Sequence, residues 1–523
     1  MRDFQFPGRS AVYAENGVCA TSHPLAAQVA VEVLKSGGNA VDAALAGAVL
    51  LGFCEPQMTG LGGDCFVLIK PAGEERVLAL NGSGRAPAGL SAAQMRDRGL
   101  DAVPLRGIEA VTLPGAVDAF CTLAADWGSQ PLSQVLAPAI HYAEAGVPVA
   151  PRVAFDWADD APCLQGRARD LFLIGGQAPR AGQMFRAPGQ AEVLRRIARE
   201  GRAGFYEGEV AQDIVGSLRA LGGCHTLDDL ADTRCIWGDP VQGGYRGVDL
   251  LEHPPNGQGA TAILLLNILS QFDLAAMDPL GAARVHLEAE AAKLAYDARN
   301  RFIADPAARL DHMLSMETAV RLAALIHPQK VIAQAAPLTE AIHRDTVYIT
   351  VVDRDRMAVS LIYSVFWGFG AGMASNRFGL CFQNRGAGFT LTPGHPNEAA
   401  GGKRPMHTII PGMLMEGGRV SMPFGVMGGG YQPAGHARLI SNLRDFGMDL
   451  QSAIDAPRSF ASADGLEVER GYGDDVRAGL AAMGHKVVVP ETPLGGAQAI
   501  VIGADGVLVG GSDPRKDGIA LGY

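Results

Sequence analysis

"HRDTVYITVVDRDRMAVSLIYS", His343 to Ser364, is the stretch of sequence that decides the fold. Two runs of β-branched and apolar residues, Val347–Val352 and Met357–Tyr363, flank a charged Asp-Arg-Asp-Arg turn. Runs of this length on either side of a polar turn predict a β-hairpin. The hairpin begins abruptly at Asp345-Thr346, deep inside the chain. A threonine there raises the question of whether this strand is meant to become a new N-terminus.

The composition is that of a large globular protein. The chain has 523 residues, of which 48% are hydrophobic, and its net charge is −11. This length allows one large domain or two. No polybasic run is present, so we expect neither nucleic acid nor an anionic membrane as a partner. The start of the chain has no apolar signal-peptide core, and no run reaches the ~18 apolar residues of a membrane span.

The spacing of the cysteines and the absence of several known motifs make disulfides, metal sites and several enzyme classes unexpected. Eight cysteines are scattered along the sequence without a CxxC pair. This spacing favours reduced thiols over disulfides or a zinc site, and it predicts a cytoplasmic protein. The sequence motifs of phosphate loops, dinucleotide sites, zinc proteases and α/β-hydrolases are absent. We therefore expect no metal and no cofactor in the reaction.

The first two thirds of the chain are predicted to be mainly helical. A helix is predicted from Pro24 to Lys35, and a second, apolar nearly all round and hence buried, begins after the N-cap Asn39. Strands are predicted at Cys65–Lys70 and Arg76–Leu80. From about residue 114 to residue 344 the hydrophobic pattern is mostly helical.

The last third is predicted to be rich in strands. After the opening hairpin come two more, with turns at Gly417-Gly418 and Asp505-Gly506. One amphipathic helix, Ala434–Phe446, interrupts them. Helices around some early strands, followed by a strand-rich end, indicate sheets covered by helices in one large unit.

Eight segments follow one another in a definite order: "ATSHPLAAQVAVEVLKSGGNAVDAALA", "EPQMTGLGGDCFVL", "RAP", "EAAKLAYDAR", "DTVYITVVD", "KRP", "GVMGGG" and "GAQAIVIGADGVLVGGSDPRKDGIALGY". Together they resemble the γ-glutamyltransferase family of N-terminal-nucleophile hydrolases. Each segment alone is weak evidence, but in this order they cover nearly the whole chain. The resemblance implies an α/β (α+β) fold, a four-layer αββα sandwich.

The resemblance also implies a precursor that cuts itself between Asp345 and Thr346. Residues 1–345 would form a large subunit and residues 346–523 a small one, paired as a heterodimer, and assembly of two such pairs is left open. The hydroxyl of Thr346 is a weak nucleophile until a base takes its proton. Cleavage frees an α-amino group with a pKa of about 7.7–8.0, which can act as that base.

Three further residues are matched to the family's catalytic groups. Gly428 and Gly429 fall where the family has paired backbone N–H groups that stabilise an oxyanion. Ser364 falls where a second hydroxyl holds the amine of the nucleophile, and it is a serine where threonine is common. These roles are implied by the resemblance.

The departures from the family pattern lie in the substrate pocket. The family's arginine for the substrate α-carboxylate falls on Ser83, and an arginine stands two residues later at Arg85. The asparagine, glutamine and aspartate that hold the substrate α-ammonium fall on Phe366, Arg385 and Gly388. The pocket thus loses the family's carboxylate and gains a guanidinium.

This exchange of charge predicts a different substrate. A guanidinium repels an α-ammonium and can bind a carboxylate with two parallel hydrogen bonds. We therefore expect an amide whose acyl part carries a carboxylate and no α-amino group. The family's paired serines fall on His407 and Thr408. The stretches "FQNRGAGF", which contains Asn384 and Arg385, and "MHTIIPG", which contains His407 and Thr408, resemble the oxamate amidohydrolase branch, and Phe366 would suit a small acid amide by filling space.

Three alternatives remain open from the sequence. The chain could be a γ-glutamyl hydrolase or transpeptidase that acts on glutathione. It could be a glutaryl-type acylase, which also needs no α-amino group on its substrate. From another class, it could be an uncleaved scaffold that binds acids or a protein partner.

Overall fold

Thr346 opens the second of the two long stretches that the structure describes. The computed structural model describes residue 5, residues 8–332 and residues 346–523. The predicted cleavage residue Asp345 therefore lies outside the described residues.

Nineteen strands occur in these described residues. They are β1 Val12–Ala14, β2 Val18–Thr21, β3 Asp64–Lys70, β4 Leu78–Gly82, β5 Val147–Pro148, β6 Met184–Phe185, β7 Ile236–Gly238, β8 Val241–Tyr245, β9 Val248–Glu252, β10 Val347–Val352, β11 Ala358–Ser364, β12 Gly412–Glu416, β13 Arg419–Met427, β14 Ser459–Ser462, β15 Gly465–Val468, β16 Val487–Val488, β17 Gly496–Ile502, β18 Leu508–Ser512 and β19 Ile519–Gly522.

The same stretches contain eighteen α-helices. They are α1 Pro24–Lys35, α2 Ala40–Cys54, α3 Ala92–Asp97, α4 Ala116–Trp127, α5 Leu132–Ala145, α6 Pro151–Asp160, α7 Gly166–Phe172, α8 Pro188–Glu200, α9 Ala203–Tyr206, α10 Gly208–Ala220, α11 Leu227–Ala231, α12 Gly259–Leu269, α13 Ala282–Phe302, α14 Leu310–Leu314, α15 Met316–Ala323, α16 Gln432–Arg444, α17 Leu450–Asp455 and α18 Asp474–Ala482.

Two antiparallel sheets of seven strands form the centre of the molecule. The first sheet has the order β19-β2-β10-β11-β3-β4-β7, and the second has the order β1-β18-β17-β13-β12-β9-β8. The predicted hairpin is β10 and β11, in which Val347 pairs with Tyr363. It lies in the middle of the first sheet, between β2 and β3. Both predicted C-terminal hairpins, β12–β13 and β17–β18, lie in the second sheet.

The alternation along β10 explains how the layers are stacked. Val347, Ile349 and Val351 point to the layer that contains α1 and α2 and share its apolar core. Tyr348 points the other way and packs with Met427 of the second sheet. Side chains of a strand alternate between the two faces of its sheet, so β10 is buried on both faces.

A glycine makes the close packing between the sheets possible. A Cβ atom added at Gly425 on β13 would lie 2.4 Å from the ring of Tyr348 on β10. Helices α12 and α16 pack on the outer face of the second sheet, and α13 packs on α12 in the same large apolar core. Helices therefore cover both outer faces, and the predicted αββα sandwich is confirmed.

The predicted start of the second helix is also confirmed in detail. The side chain of Asn39 accepts hydrogen bonds from the N–H groups of Val41 and Asp42, and Asp42 accepts one from the N–H of Asn39. This reciprocal cap satisfies backbone donors that the first turn leaves without partners.

The sequence prediction was wrong about parts of two regions. Strands β5 to β9 occur within residues 114–344, which were predicted to be mostly helical. The runs in β8 and β9 are short and Gly243-Gly244 weakens their strand signal, but pairing of β9 with β12 fixes them as strands. In the last third, α17 and α18 occur in addition to the one predicted helix, which itself spans Gln432–Arg444.

Two further observations bear on the environment of the chain. All eight cysteines are free thiols. Among the residues that the structure describes, none of the helices combines the length and the apolar character that crossing a bilayer requires.

Candidate active site

Thr346 stands at the head of β10, in a row with two residues from neighbouring strands. Its Oγ1 donates a hydrogen bond of 3.4 Å to Oγ of Ser364. The next pair along the hairpin is Val347 with Tyr363, and Ser364 in turn pairs with Asp64 on β3. Paired residues of antiparallel strands point to the same face of the sheet, so the three side chains share one face.

That face is the one between the two sheets. Tyr348, Ile362 and Phe66 each lie two residues from a member of the row, and all three pack in the cluster between the sheets. Side chains two residues apart on a strand share a face. The row Thr346, Ser364 and Asp64 is fully buried at this end of the sandwich.

Ser364 is held by the chain that follows it. Its Oγ accepts a hydrogen bond of 2.9 Å from the N–H of Phe366. Phe366 has a φ of 84°, a backbone conformation that is rare outside glycine. The turn after β11 therefore fixes the hydroxyl of Ser364 toward Thr346.

The predicted oxyanion glycines follow the last residue of β13. Gly428 has a φ of 121° and Gly429 a φ of 53°, conformations that glycine adopts without steric cost. Met427, directly before them, packs with Tyr348 and Phe66. The two glycines thus lie at the end of the sandwich that holds the row Thr346, Ser364 and Asp64.

A buried glutamine, which the sequence analysis missed, braces this turn. Nε2 of Gln258 donates to the carbonyl oxygens of Thr408 (2.5 Å) and Gly429 (3.1 Å). Its Oε1 accepts a 3.0 Å hydrogen bond from Arg299. Tyr296 donates to the carbonyl oxygen of Gly430. Helix α13, which carries Arg299 and Tyr296, therefore supports the glycine turn from outside.

Three predicted substrate-binding residues come together around Arg385. This arginine is fully buried at the start of the 3₁₀ turn Arg385–Gly388. Its guanidinium lies 3.9 Å from the ring centroid of Phe366 and donates a 2.9 Å hydrogen bond to Oγ1 of Thr408. Stacking on an aromatic ring favours a cation and fixes the plane of its fork.

His407 is close to the same group, but both of its ring nitrogens are occupied. The N–H of Ile409 donates to Nδ1 over 3.3 Å, so Nδ1 is the acceptor. Nε2 therefore carries the proton and donates to Oδ2 of Asp64 over 3.0 Å. Burial lowers the pKa of His407 well below its ordinary value, and Arg385 and His253 add to this effect. The imidazole is neutral.

Asp64 is a second residue of the site that the sequence analysis did not find. Its Oδ1 accepts hydrogen bonds from Gln383 (2.8 Å), from the N–H of Gly84 (2.8 Å) and from the N–H of Gly115 (3.3 Å). Burial raises the pKa of Asp64 to about 6, while Arg385 and these hydrogen bonds act to lower it. One signal was present, since an acid heads β3 directly before the apolar run 65–69.

Asp64 also corrects one expectation about the pocket. The sequence comparison put Gly388 in place of the family's carboxylate and left none beside Arg385. A carboxylate is nevertheless supplied from β3, close enough for Arg385 to act on its pKa.

Two predicted binding residues point elsewhere. The guanidinium of Arg85 donates to the carbonyl oxygen of Gly402 over 2.8 Å and forms an ion pair with Asp305 over 3.4 Å. Its side chain is 41% exposed. The amide of Asn384 accepts from the N–H of Trp367 and donates to the carbonyl oxygen of Leu105, so its contacts position the loop.

One group of side chains among the described residues has the composition of a metal site, and it includes no member of the row Thr346, Ser364 and Asp64. The ligand atoms of His286, Glu290 and His485 lie within 4.8 Å of one another. The nitrogens of the two histidines are already hydrogen-bonded at 2.7 Å, and Glu290 is ion-paired with Lys293. A closed network with an ammonium beside it is a poor cation site, so we assign no metal there.

Comparison with known proteins agrees with this geometry. The sequence model of the family described as Gamma-glutamyltranspeptidase matches residues 26–523 of this chain. The chain is 37% identical to the glutathione hydrolase-like YwrD proenzyme of Bacillus subtilis, over 96% of this chain and 97% of that one. It is 34% identical to the oxamate amidohydrolase proenzyme of Klebsiella pneumoniae, over 97% and 98%.

A solved structure shows the same fold over the full length. The cephalosporin acylase from Bacillus halodurans superimposes with a TM-score of 0.92 at 38% identity, covering 100% of this chain and 99% of that one. The matched family, the full-length relatives and the buried threonine row are consistent with one another. This chain is an enzyme that belongs to the γ-glutamyltranspeptidase family.

Proposed function

We propose that the chain cuts itself before Thr346 and then hydrolyses a small, oxamate-like amide whose acyl part carries a carboxylate. The observation that carries the substrate assignment is the buried guanidinium of Arg385, stacked on Phe366 and bound to Thr408. The relatives of this family include proteins named as proenzymes.

The chemistry follows from one residue that supplies both nucleophile and base. In the precursor, Oγ1 of Thr346 attacks the carbonyl carbon of residue 345, and the peptide bond becomes an ester that water opens. The freed amine of Thr346 then takes the proton of its own hydroxyl. Because both groups belong to one residue, their orientation is fixed. The acyl group passes to the hydroxyl, the amine of the amide leaves, and water releases the acid.

Two groups support these steps. Ser364, whose Oγ lies 3.4 Å from that of Thr346, is placed to hold the nucleophile and its amine. To the turn at Gly428 and Gly429, whose positive φ angles glycine adopts without steric cost, we assign the backbone N–H donors for the oxyanion of the tetrahedral intermediate.

The acyl pocket selects by charge and by size. A guanidinium binds a carboxylate through two parallel hydrogen bonds, and the Thr408 hydroxyl orients it. Phe366 fills space beside Arg385, which favours a short acyl group. The Klebsiella relative is named an oxamate amidohydrolase, and oxamate is the shortest amide that carries an acyl carboxylate.

A second candidate, hydrolysis of γ-glutamyl amides, is favoured by Asp64. Its carboxylate near Arg385 could pair with a substrate α-ammonium, and the Bacillus subtilis relative is named glutathione hydrolase-like. Four donors already occupy this carboxylate, which leaves little capacity for an ammonium. The third candidate, a glutaryl-type acylase, fits the same guanidinium with a longer acyl chain.

The two fragments would stay together as a heterodimer, and the eight free thiols favour the cytoplasm as its location. Sequencing the N-termini of purified, active enzyme tests the cleavage. We expect fragments of 345 and 178 residues, the smaller of which begins with Thr346. An active enzyme with an intact chain would refute the mechanism and favour an unprocessed scaffold.

A substrate panel tests the pocket. We expect ammonia release from oxamate to exceed p-nitroaniline release from γ-glutamyl-p-nitroanilide in kcat/KM, with glutaryl-p-nitroanilide between them. A glutaryl compound that is turned over best would favour the glutaryl-type acylase instead. Turnover of the γ-glutamyl compound alone would overturn the assignment of Arg385.

A further inference from the structure

We propose that the charge of Asp64 sets how strongly the acyl pocket holds a carboxylate, which makes Asp64 a specificity-determining residue. The inference rests on the proposed function, because it concerns the carboxylate that Arg385 would bind. Neither the family pattern nor the sequence analysis assigned a role to this residue.

The position of Asp64 places it between the nucleophile and the pocket. Along the sheet it is paired in register with Ser364, the neighbour of Thr346. Across the inter-sheet space, its Oδ2 accepts a hydrogen bond from His407, whose neighbour Thr408 binds Arg385. Asp64 is fully buried, so its charge is not screened by solvent.

The charges of the empty pocket balance when Asp64 is ionised. Arg385 is a buried cation, and Asp64 is the carboxylate on which it acts. A substrate carboxylate that enters beside Arg385 adds a second negative charge to the same site. Two carboxylates that share one guanidinium repel each other, whereas one carboxylate and a protonated Asp64 do not.

Apart from the freed amine of Thr346, Asp64 is the group of this pocket whose charge changes between pH 5 and 8. Burial lowers the pKa of His407 well below its ordinary value and that of His253 to about 4, and it raises the pKa of the Cys65 thiol. The arginines stay protonated. The ionisable groups that face Asp64 from the surrounding elements are Arg385, Arg404, His407 and Cys65, together with the amine of Thr346 after cleavage, and His253 acts on His407.

The sign of the effect follows directly. At pH 5 Asp64 is mostly protonated, Arg385 is not neutralised and an anionic acyl group binds well. At pH 8 Asp64 is ionised and an anionic acyl group binds less well, by about tenfold or more. An uncharged acyl group is indifferent to this change.

The experiment compares oxamate with its ethyl ester, ethyl oxamate, in the processed enzyme, with ammonia release as the readout from pH 5 to 8. Both amides depend equally on the amine of Thr346, so its titration cancels in the ratio of their kcat/KM values. We expect the ratio of oxamate to ethyl oxamate to fall about tenfold or more as the pH rises through about 6.

Asp64→Asn supplies the matching variant. Its ratio should be independent of pH and should exceed that of the unaltered enzyme at pH 8 by about the same factor. Glu252→Gln is the control, because Glu252 also binds a buried histidine, His436, at 2.6 Å, but on the second sheet. This control should keep the unaltered pH profile.

The outcomes separate the two proposals. If oxamate is hydrolysed but the ratio in the unaltered enzyme is flat from pH 5 to 8, the role of Asp64 is refuted and the proposed function stands. A ratio that falls with pH in Asp64→Asn as well would also refute it. If oxamate is not hydrolysed at any pH, the proposed function fails and this inference fails with it. The profile of the unaltered enzyme decides the question even if the asparagine variant does not fold.

Discussion

A threonine hydroxyl is a weak nucleophile by itself. Thr346 is a candidate nucleophile because the register of β10, β11 and β3 sets it beside Ser364 and Asp64. The pairing of β10 with β11 brings its hydroxyl to Ser364, and burial removes the water that would otherwise solvate both groups. A threonine at most strand positions has no such neighbour. The hydrogen bond from Phe366 to Ser364 then orients the pair.

Thr346→Ala should leave the chain uncut and inactive, because the attacking hydroxyl is lost. We expect a decrease in activity of about 10⁴-fold or more, measured with oxamate, and one band in denaturing electrophoresis. Thr350→Val is the matched control, since Thr350 is also buried on β10 and its hydroxyl donates to the carbonyl oxygen of Val359. Cleavage of Thr346→Ala at the same site would show that another residue initiates the cut.

Arg385→Gln should weaken binding of an amide with an acyl carboxylate. Loss of a charge-assisted hydrogen bond, about 1.5–3 kcal/mol, corresponds to a rise in KM of about 10- to 150-fold. Arg85→Gln should change KM less than about twofold, because Arg85 forms a half-exposed ion pair with Asp305. If the two substitutions raise KM equally, Arg85 contributes to substrate binding as much as Arg385 does.

The residues of the pocket were predictable only in part. Alignment with the family put Arg385, Phe366 and Thr408 in the pocket, and the structure brings these three together. Asp64 was missed because it meets His407 across 343 positions of sequence, through a strand register that no local pattern encodes. Its role depends on that contact, so a single sequence could show only an acid at the head of an apolar strand.

At the scale of elements, the glycine turn after β13 is held from both sides. Inside, Met427 is fixed in the cluster between the sheets. Outside, Gln258 at the start of α12 binds the carbonyl oxygens of Thr408 and Gly429. One glutamine therefore couples the acyl pocket to the turn that is proposed to bind the oxyanion.

Gln258→Leu should lower kcat more than it raises KM. Loss of an oxyanion donor typically costs about 10²–10³ in rate, and a turn that is only loosened should lose about 10- to 100-fold. Steady-state kinetics with oxamate check this. Gln451→Leu is the control. Gln451, on α17, is also buried and donates a hydrogen bond to a backbone carbonyl oxygen, that of Ser512. A KM effect without a kcat effect would assign Gln258 to substrate binding alone.

Elements with strong local signals were the ones that could be predicted. The hairpin β10–β11 and helices α1 and α2 have long periodic runs and, for α2, a clear N-cap. Strands β8 and β9 were missed because their identity depends on pairing with β12, not on propensity. Tertiary pairing overrides a weak local preference in such short runs.

At the scale of the whole molecule, a buried acid links stability to pH. Glu55 follows α2, accepts a hydrogen bond from Ser22 and is fully buried. Burial raises the pKa of Glu55 to about 7, and the nearby Asp517 and Asp156 add to this, whereas Lys516 and Ser22 oppose it. The folded chain therefore holds a proton that the unfolded chain has lost.

Glu55→Gln should be more stable than the unaltered chain at pH 8 and not at pH 5. A group with a raised pKa stabilises the fold below its unfolded value of about 4.5, and this contribution is lost as the pH rises to about 7. The free energy of unfolding should fall by roughly 3 kcal/mol over that range, and the glutamine variant should not show this loss. Thermal unfolding at both pH values measures it, with Glu491→Gln as the control for a lost surface charge. An identical difference in Tm at pH 5 and pH 8 would contradict this linkage.

The strand order of the first sheet has a consequence for a chain cut before Thr346. Strands β10 and β11 would belong to the short fragment, yet they are enclosed by β2 and β3 of the long one, while β19 of the short fragment closes the edge beside β2. Strands of the two fragments alternate within one sheet, so each fragment alone would expose unpaired strand edges. Dilution would not separate them, and exchange of halves between molecules would require both to unravel first. The two fragments would therefore unfold together, as one cooperative unit with two additional chain termini.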